Sequence, residues 1–220
     1  LFYEGPSNTG NPDLKPESMN NYEGGFKWDS QTMQGYISFF YYDADNIIAW
    51  IRHSSRNMTW KTRNLTELVN RGIEFSTTIN IDQIIESSIP LKQVKLNYTG
   101  MDQDKITNSF ESKYALNYLK HNLGIHVAGR LKRWYFSIVS SFTDRAGDYL
   151  KYDFRKNRYT HEVQYIPAWV FDASVGHEWN GWRIYMEASN VFDNKHYDIG
   201  NVKTSGRWIN VGLEKRFGFR

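Results

Sequence analysis

The stretch Gly206-Arg207-Trp208-Ile209-Asn210-Val211-Gly212-Leu213-Glu214-Lys215-Arg216-Phe217-Gly218-Phe219 decides the fold class. Its odd positions read Arg, Ile, Val, Leu, Lys, Phe, Phe, and its even positions Gly, Trp, Asn, Gly, Glu, Arg, Gly. Five of seven residues on one face are apolar, against one of seven on the other. Successive side chains of a strand point to opposite faces, so this is a two-faced β-strand and not a helix.

The same period runs upstream. Ile184, Met186 and Ala188 oppose Tyr185, Glu187 and Ser189, and Phe171, Ala173 and Val175 oppose Asp172, Ser174 and Gly176. Leu123, Ile125 and Val127 oppose Asn122, Gly124 and His126. The pattern predicts nine strands, near 18–28, 31–42, 69–81, 92–101, 115–128, 132–143, 166–179, 182–190 and 205–219. Tight turns are expected at Asp29-Ser30, at Gly129 to Leu131 and at Asn180-Gly181, with a longer one over 82–91 ending near Pro90. An Asn-Gly pair supplies the positive φ of a type I′ hairpin. Between these lie long connections at 43–68, 102–114, 144–165 and 191–204, rich in charge, Asn and Tyr. Short turns at one end and long loops at the other are the layout of an outer-membrane barrel.

Composition agrees. The chain of 220 residues has 27 basic and 24 acidic residues, a balance too even for a nucleic-acid surface. It has no cysteine, which excludes a disulfide scaffold and a thiolate metal site. A mean hydropathy of −0.65 suits a water-soluble chain, and equally a barrel wall that is apolar on one face only. Trp28, Trp134, Trp179, Trp182 and Phe217 fall near short turns or the C-terminal end, while Tyr41, Tyr98 and Trp169 fall toward the long loops. Two such bands fit the aromatic girdles at the membrane interfaces. In an antiparallel sheet the first and ninth strands run the same way and cannot close on each other. With Leu1 opening the chain, the expectation is an all-β, antiparallel transmembrane β-barrel portion, the C-terminal part of a larger barrel.

Three motifs carry a resemblance. Gly10-Asn11-Pro12-Asp13-Leu14-Lys15-Pro16-Glu17, followed by Asn21-Tyr22-Glu23, is one. Ala188-Ser189-Asn190-Val191-Phe192-Asp193-Asn194-Lys195 with Tyr197 is the second, and the Gly206 to Phe217 strand is the third. Together, in this order, they resemble TonB-dependent outer-membrane receptors. Lys215 stands where that family has an aromatic, and the chain runs on past the usual aromatic ending to Arg220. The resemblance implies a barrel of about 22 strands of which residues 1–220 supply the last nine. It also implies a plug domain and a TonB-engaging segment, neither of which this sequence contains. More narrowly, Met101-Asp102-Gln103-Asp104, the run from Ser112 to His121, and Asp144-Arg145-Ala146-Gly147 with Tyr149, Lys151 and Tyr152 are similar to cobalamin receptors of the Bacteroides group.

Candidate ligand contacts lie in two loops that mix aromatic and basic residues: Trp50, Arg52, His53 and Trp60 in one, Arg145, Tyr149, Tyr152 and Arg158 in the other. Such residues can hold a large, flat, partly anionic ligand by stacking and charge, and they equally suit contact with lipopolysaccharide phosphates. Asp172, Glu187, Glu214 and Arg216 fall on the polar face, as lumen-lining groups that either meet a plug or pair within the wall. His53 and His161 are the histidines best placed for a haem ligand, and the pairs Asp43/Asp45 and Asp102/Asp104 have oxygen spacing suited to Ca²⁺ or to a solvated loop. No metal site or cofactor is assigned. No nucleophile elbow, P-loop, HExxH or dinucleotide fingerprint occurs, so an enzyme is not expected.

The expected function is an outer-membrane receptor that binds a scarce nutrient, cobalamin by preference, and imports it with energy from the TonB complex. Outer-membrane lipid is an expected partner, and the loops leave room for a surface lipoprotein. Haem or siderophore uptake is the alternative within that class. A passive porin-like barrel and a soluble lectin-like β-sandwich are the other two classes.

Overall fold

The computed structural model describes residues 5, 7–52, 59–64, 67–85, 89–106, 111–112, 118–153, 155–200 and 202–217. Its strands, in chain order, begin with β1 (Asn8–Thr9), β2 (Ser18–Asp29), β3 (Met33–Asp45), β4 (Ile48–Arg52), β5 (Trp60–Asn64) and β6 (Glu67–Asn80). There follow β7 (Leu91–Ile106), β8 (Glu111–Ser112), β9 (Leu119–Leu131), β10 (Trp134–Arg145), β11 (Asp148–Asp153) and β12 (Arg158–Gln164). The last are β13 (Ala168–Trp179), β14 (Trp182–Ser189), β15 (Tyr197–Ile199), β16 (Val202–Lys203) and β17 (Trp208–Lys215).

Nine of these form one sheet in the order β17-β14-β13-β10-β9-β7-β6-β3-β2. Every ladder in it is antiparallel. All nine expected strands are present, several running further toward the long loops than the alternation reached. The edge strands β2 and β17 run in the same direction and do not pair with each other.

Register explains the alternation. Residues directly opposite in a ladder share a face. One row reads Met33, Ile79, Val94, Val127, Ile138, Ala173, Ala188, Ile209 from β3 to β17 without a polar residue. On the other face a row reads Gly25, Ser38, Glu74, Thr99, Asn122, Thr143 from β2 to β10. Side chains on that face pair across strands: Ser76 Oγ donates to Asn97 Oδ1 at 2.8 Å, and His126 Nε2 lies 2.8 Å from Ser137 Oγ.

The apolar face is left uncovered by the other described residues. Phe26 is 77% exposed and Val211 74%. The buried apolar residues among those described are Phe40, Ala44, Ala49, Ile51, Leu68, Tyr165 and Ala168, which belong to the inner face or the loops. A sandwich would bury its apolar rows between two sheets; this sheet offers them to lipid. Trp134, Trp179 and Trp182 stand exposed beside the short turns, and Tyr22, Tyr41 and Trp169 toward the opposite end.

One turn differs from expectation. β9 continues to Leu131, and the chain reverses at Lys132-Arg133, where Lys132 takes φ 55°. Gly129 serves packing instead of turning: a Cβ there would strike the Phe136 ring of β10. Gly176 and Gly212 sit likewise under the rings of Tyr135 and Tyr185. The turn after β6 holds a short 3-10 turn, Ile81–Gln83.

The long connections are themselves folded. β1, β5, β4 and β8 form a separate four-stranded sheet, β11 and β12 form a hairpin, and β15 and β16 a smaller one.

Candidate functional site

The loop end carries two groups of the expected contact residues, on different sheets. In the first, Trp50 lies opposite Thr62 in the β4–β5 ladder, and the Arg52 guanidinium sits 4.5 Å over the Trp60 ring. Ala49 and Ile51, on the other side of β4, are buried with Ile47 against them, which fixes the hairpin. His53 lies outside the described residues. A clamp holds this hairpin to the chain entering β2. Asn64 Nδ2 donates to the carbonyls of Lys15 (2.9 Å) and Asn46 (2.6 Å), and Asn64 Oδ1 accepts from the Lys15 N–H at 2.9 Å. Glu17 Oε1 accepts from the Ile48 N–H at 2.6 Å. The Gly10 to Glu17 motif therefore has a structural task in this chain, as the strap on which the hairpin is seated.

The second group stands on β10, β11 and β12. Tyr149 is flanked by the rings of Tyr165 at 5.0 Å and Tyr197 at 5.4 Å. Arg145 pairs with Asp198 at 3.1 Å and lies 5.9 Å from the Tyr165 ring. The Gly200 N–H donates to Tyr165 Oη at 2.8 Å. These contacts fasten the β15–β16 hairpin to the base of the β11–β12 hairpin. Burial, with Tyr197 and Tyr165 adding to it, raises the Tyr149 phenol above its ordinary range. Higher up, Tyr152 donates to Asn157 Oδ1 and meets the Tyr159 ring edge-on at 5.1 Å, while Arg158 is exposed opposite Asp153.

The Asn190 motif builds the loop between β14 and β17. Asn190 takes φ 50° and is almost fully buried. Its Nδ2 donates to the carbonyls of Asn194 and Ser205, and its Oδ1 accepts from the Asn194 N–H. Asp193 Oδ1 accepts from the Arg207 N–H at 3.0 Å, and Lys195 lies 3.4 Å from its other oxygen. Those two partners hold the Asp193 carboxyl below its usual range, the backbone bond most strongly.

On the inner face, Asp172 accepts the Asn190 N–H at 2.7 Å, and Glu187 is exposed between Ser174 and Asn210. Glu214 stands 3.6 Å from Arg183 and 3.5 Å from Arg216. Alternation did not single out Arg183, which lies 4.7 Å from the Tyr135 ring and 5.4 Å from that of Tyr185, or the Arg130–Glu178 pair at 2.6 Å. Glu178 and Arg183 flank the Asn180-Gly181 turn symmetrically, a signal the sequence does contain. Asp102 and Asp104 both meet Arg71, at 2.7 and 3.2 Å, which directs them to an ion pair. Among the described residues no group of three or more acidic or histidine side chains could hold a metal ion.

An antiparallel wall with a lipid-ready outer face, a polar inner face, aromatic bands and folded loops at one end defines an outer-membrane β-barrel protein. More particularly, the chain belongs to the TonB dependent receptor-like β-barrel family, whose model matches residues 1–191. The family consists of receptors and transporters, not enzymes. Over 127 residues the chain is 26% identical to the vitamin B12 transporter BtuB of Photobacterium profundum, covering 56% of this chain and 21% of that protein. Its fold matches the FrpB iron transporter of Neisseria meningitidis (F3-3 variant) with a TM-score of 0.65 at 16% identity, over 94% of this chain and 32% of that one. It matches the pyoverdine receptor FpvA of Pseudomonas aeruginosa PAO1 with a TM-score of 0.67 at 14% identity, over 93% and 30%. The chain thus spans about a fifth of the curated relative and about a third of these solved structures.

Proposed function

We propose that these strands are the C-terminal part of the wall of a plugged, TonB-energised outer-membrane receptor that captures cobalamin at the cell surface and imports it to the periplasm. The observation that carries the receptor reading is the nine-stranded sheet, apolar outside and polar inside, whose edges β2 and β17 run the same way. In lipid an unpaired edge strands a row of N–H and C=O groups at several kilocalories each, so further strands are needed to close the wall. The cobalamin reading draws support from the 127-residue match to a vitamin B12 transporter and from the loop motifs that resemble cobalamin receptors. Trp50, Arg52, His53 and Trp60, and Arg145, Tyr149, Tyr152 and Arg158, would then contact the ligand from two sides of the outer opening. Glu187, Glu214 and Arg216 would face the plug, with Asp172 below the Asn190 loop.

Equilibrium binding to the intact, detergent-solubilised receptor tests this. Saturable cobalamin binding at nanomolar affinity, undisplaced by haemin, is expected. Failure of cobalamin to bind would overturn the ligand, and ion conductance of the intact protein without any plug would overturn the receptor in favour of a passive pore.

A further inference from the structure

The tip of the β11–β12 hairpin forms an open hollow of about 490 Å³. Its shape comes from a turn that Asp153 organises. Asp153 Oδ1 accepts the N–H of Arg155 at 2.9 Å and of Lys156 at 3.2 Å, and Asn157 takes φ 49° to send the chain back. Thr160 Oγ1 donates to the Lys151 carbonyl at 3.0 Å, and Tyr152 is held by Asn157. The polar groups that build the hollow are thus engaged with one another, and recognition is left to its charges.

Those charges are unbalanced. Lys151, Arg155 and Lys156 line the hollow with His161, and Asp153 is its single carboxylate. Asp153 commits one oxygen to the turn and places the other 3.8 Å from Lys156 Nζ. Among the described residues no carboxylate lies within ion-pair distance of Lys151 or Arg155. Three cations against one anion leave the lining of this open hollow with two uncompensated positive charges.

We infer that this hollow is a binding site for the anionic oxygens of a phosphorylated molecule. A carboxylate carries one charge; a phosphate monoester carries about 1.5 to 2 at neutral pH and presents three acceptor oxygens. That matches two uncompensated cations, one of them a planar guanidinium suited to bidentate oxygen recognition and one an ammonium that rotates to fit. Two sources could present this chemistry. The hairpin rises from the outer ends of β10 and β13, whose lipid faces carry Phe142 and Trp169, so the phosphates of lipopolysaccharide are within its neighbourhood. The other source is a phosphate-bearing solute. The inference rests on the proposal above that the long loops face outward.

The test uses the intact receptor in detergent and two probes, inorganic pyrophosphate by calorimetry and lipopolysaccharide by native mass spectrometry, the latter with and without enzymatic removal of its phosphates. The double variant K151Q/R155Q should weaken binding at least tenfold, and K151R should restore the pyrophosphate response of K151Q. Weakening with phosphorylated lipopolysaccharide assigns the lipid source, and weakening with pyrophosphate alone assigns the solute. Unchanged binding of both probes overturns the site. A Glu162→Cys variant, labelled on whole cells with a membrane-impermeant maleimide, separates the two levels. Labelling, with K151Q/R155Q still binding both probes as tightly as the parent, refutes this site and leaves the receptor reading intact, whereas failure to label refutes the outward orientation and this site with it.

Discussion

Replacing Tyr149 by Ala should release the β15–β16 hairpin while leaving the wall intact. Tyr149 touches two rings, Tyr165 at 5.0 Å and Tyr197 at 5.4 Å. Aromatic pairs contribute about 0.5–1.5 kcal/mol each beyond their area, so losing both costs ~1–3 kcal/mol of docking. The Arg145–Asp198 pair and the Gly200 bond to Tyr165 Oη stay in place. Asp198 is half exposed, so its pair is worth about 0.2–1 kcal/mol, and the neutral hydrogen bond about 1 kcal/mol. The ring contacts therefore make up about a third to seven-tenths of these named contacts. A loss of ~1–3 kcal/mol shifts a local opening equilibrium by about 5- to 150-fold. Hydrogen exchange reads this directly, because the Gly200 amide donates to Tyr165 Oη. The peptide spanning 197–203 should exchange faster by that factor in the intact receptor, with exchange of β10 and β13 amides unchanged. Less than a twofold change at Gly200 would refute the latch, and equal acceleration in β10 would show that Tyr149 supports the wall.

Ile138→Lys places a charge in the middle of the apolar row and should cost about 2–4 kcal/mol in a bilayer, whereas Ser141→Lys on the inner face should cost under ~1 kcal/mol; refolding into vesicles compares them. Asn64→Ala deletes two hydrogen bonds to the strap and one to Asn46 and should cost ~1–3 kcal/mol locally, read as faster proteolysis within 10–17 without loss of the barrel. Asp193 has its folded pKa lowered, so its contribution to the 190–207 loop is complete above the ordinary carboxyl value of 3.8 and is lost as pH falls through the lower folded value. Exchange of the Arg207 amide should rise over that acid range, and Asp193→Asn should flatten the response.

The wall was legible because each of its strands meets lipid on one face and water on the other, and that division writes a period of two into the sequence. Where the division ends, so does the signal. Ile48-Ala49-Trp50-Ile51-Arg52 is apolar on both faces, because β4 packs within a loop sheet, and alternation left it inside a connection. Strand ends at Asp45, Ile106 and Arg145 were missed for the same reason: above the membrane both faces are wet. Gly129 misled because a glycine under a ring and a glycine in a turn look alike in one dimension. Asn64 and Asn190 were readable as residues but not as hubs, since their partners lie 49 and 15 positions away. Sequence reading grouped Tyr149 with Arg145, Tyr152 and Arg158 as candidate contacts, but did not show the rings that flank it, Tyr165 and Tyr197.

The rings that lie over Gly129, Gly176 and Gly212 carry a consequence for assembly. Each ring fills the space that a side chain would occupy at one position of the neighbouring strand. If strand pairing slips by one residue, the ring changes faces; if it slips by two, the Tyr135 ring meets Ser174 or Glu178 in place of Gly176. Each pair therefore works as a proofreading key, tolerated at a single alignment, and successive keys let the wall be checked hairpin by hairpin as strands are added.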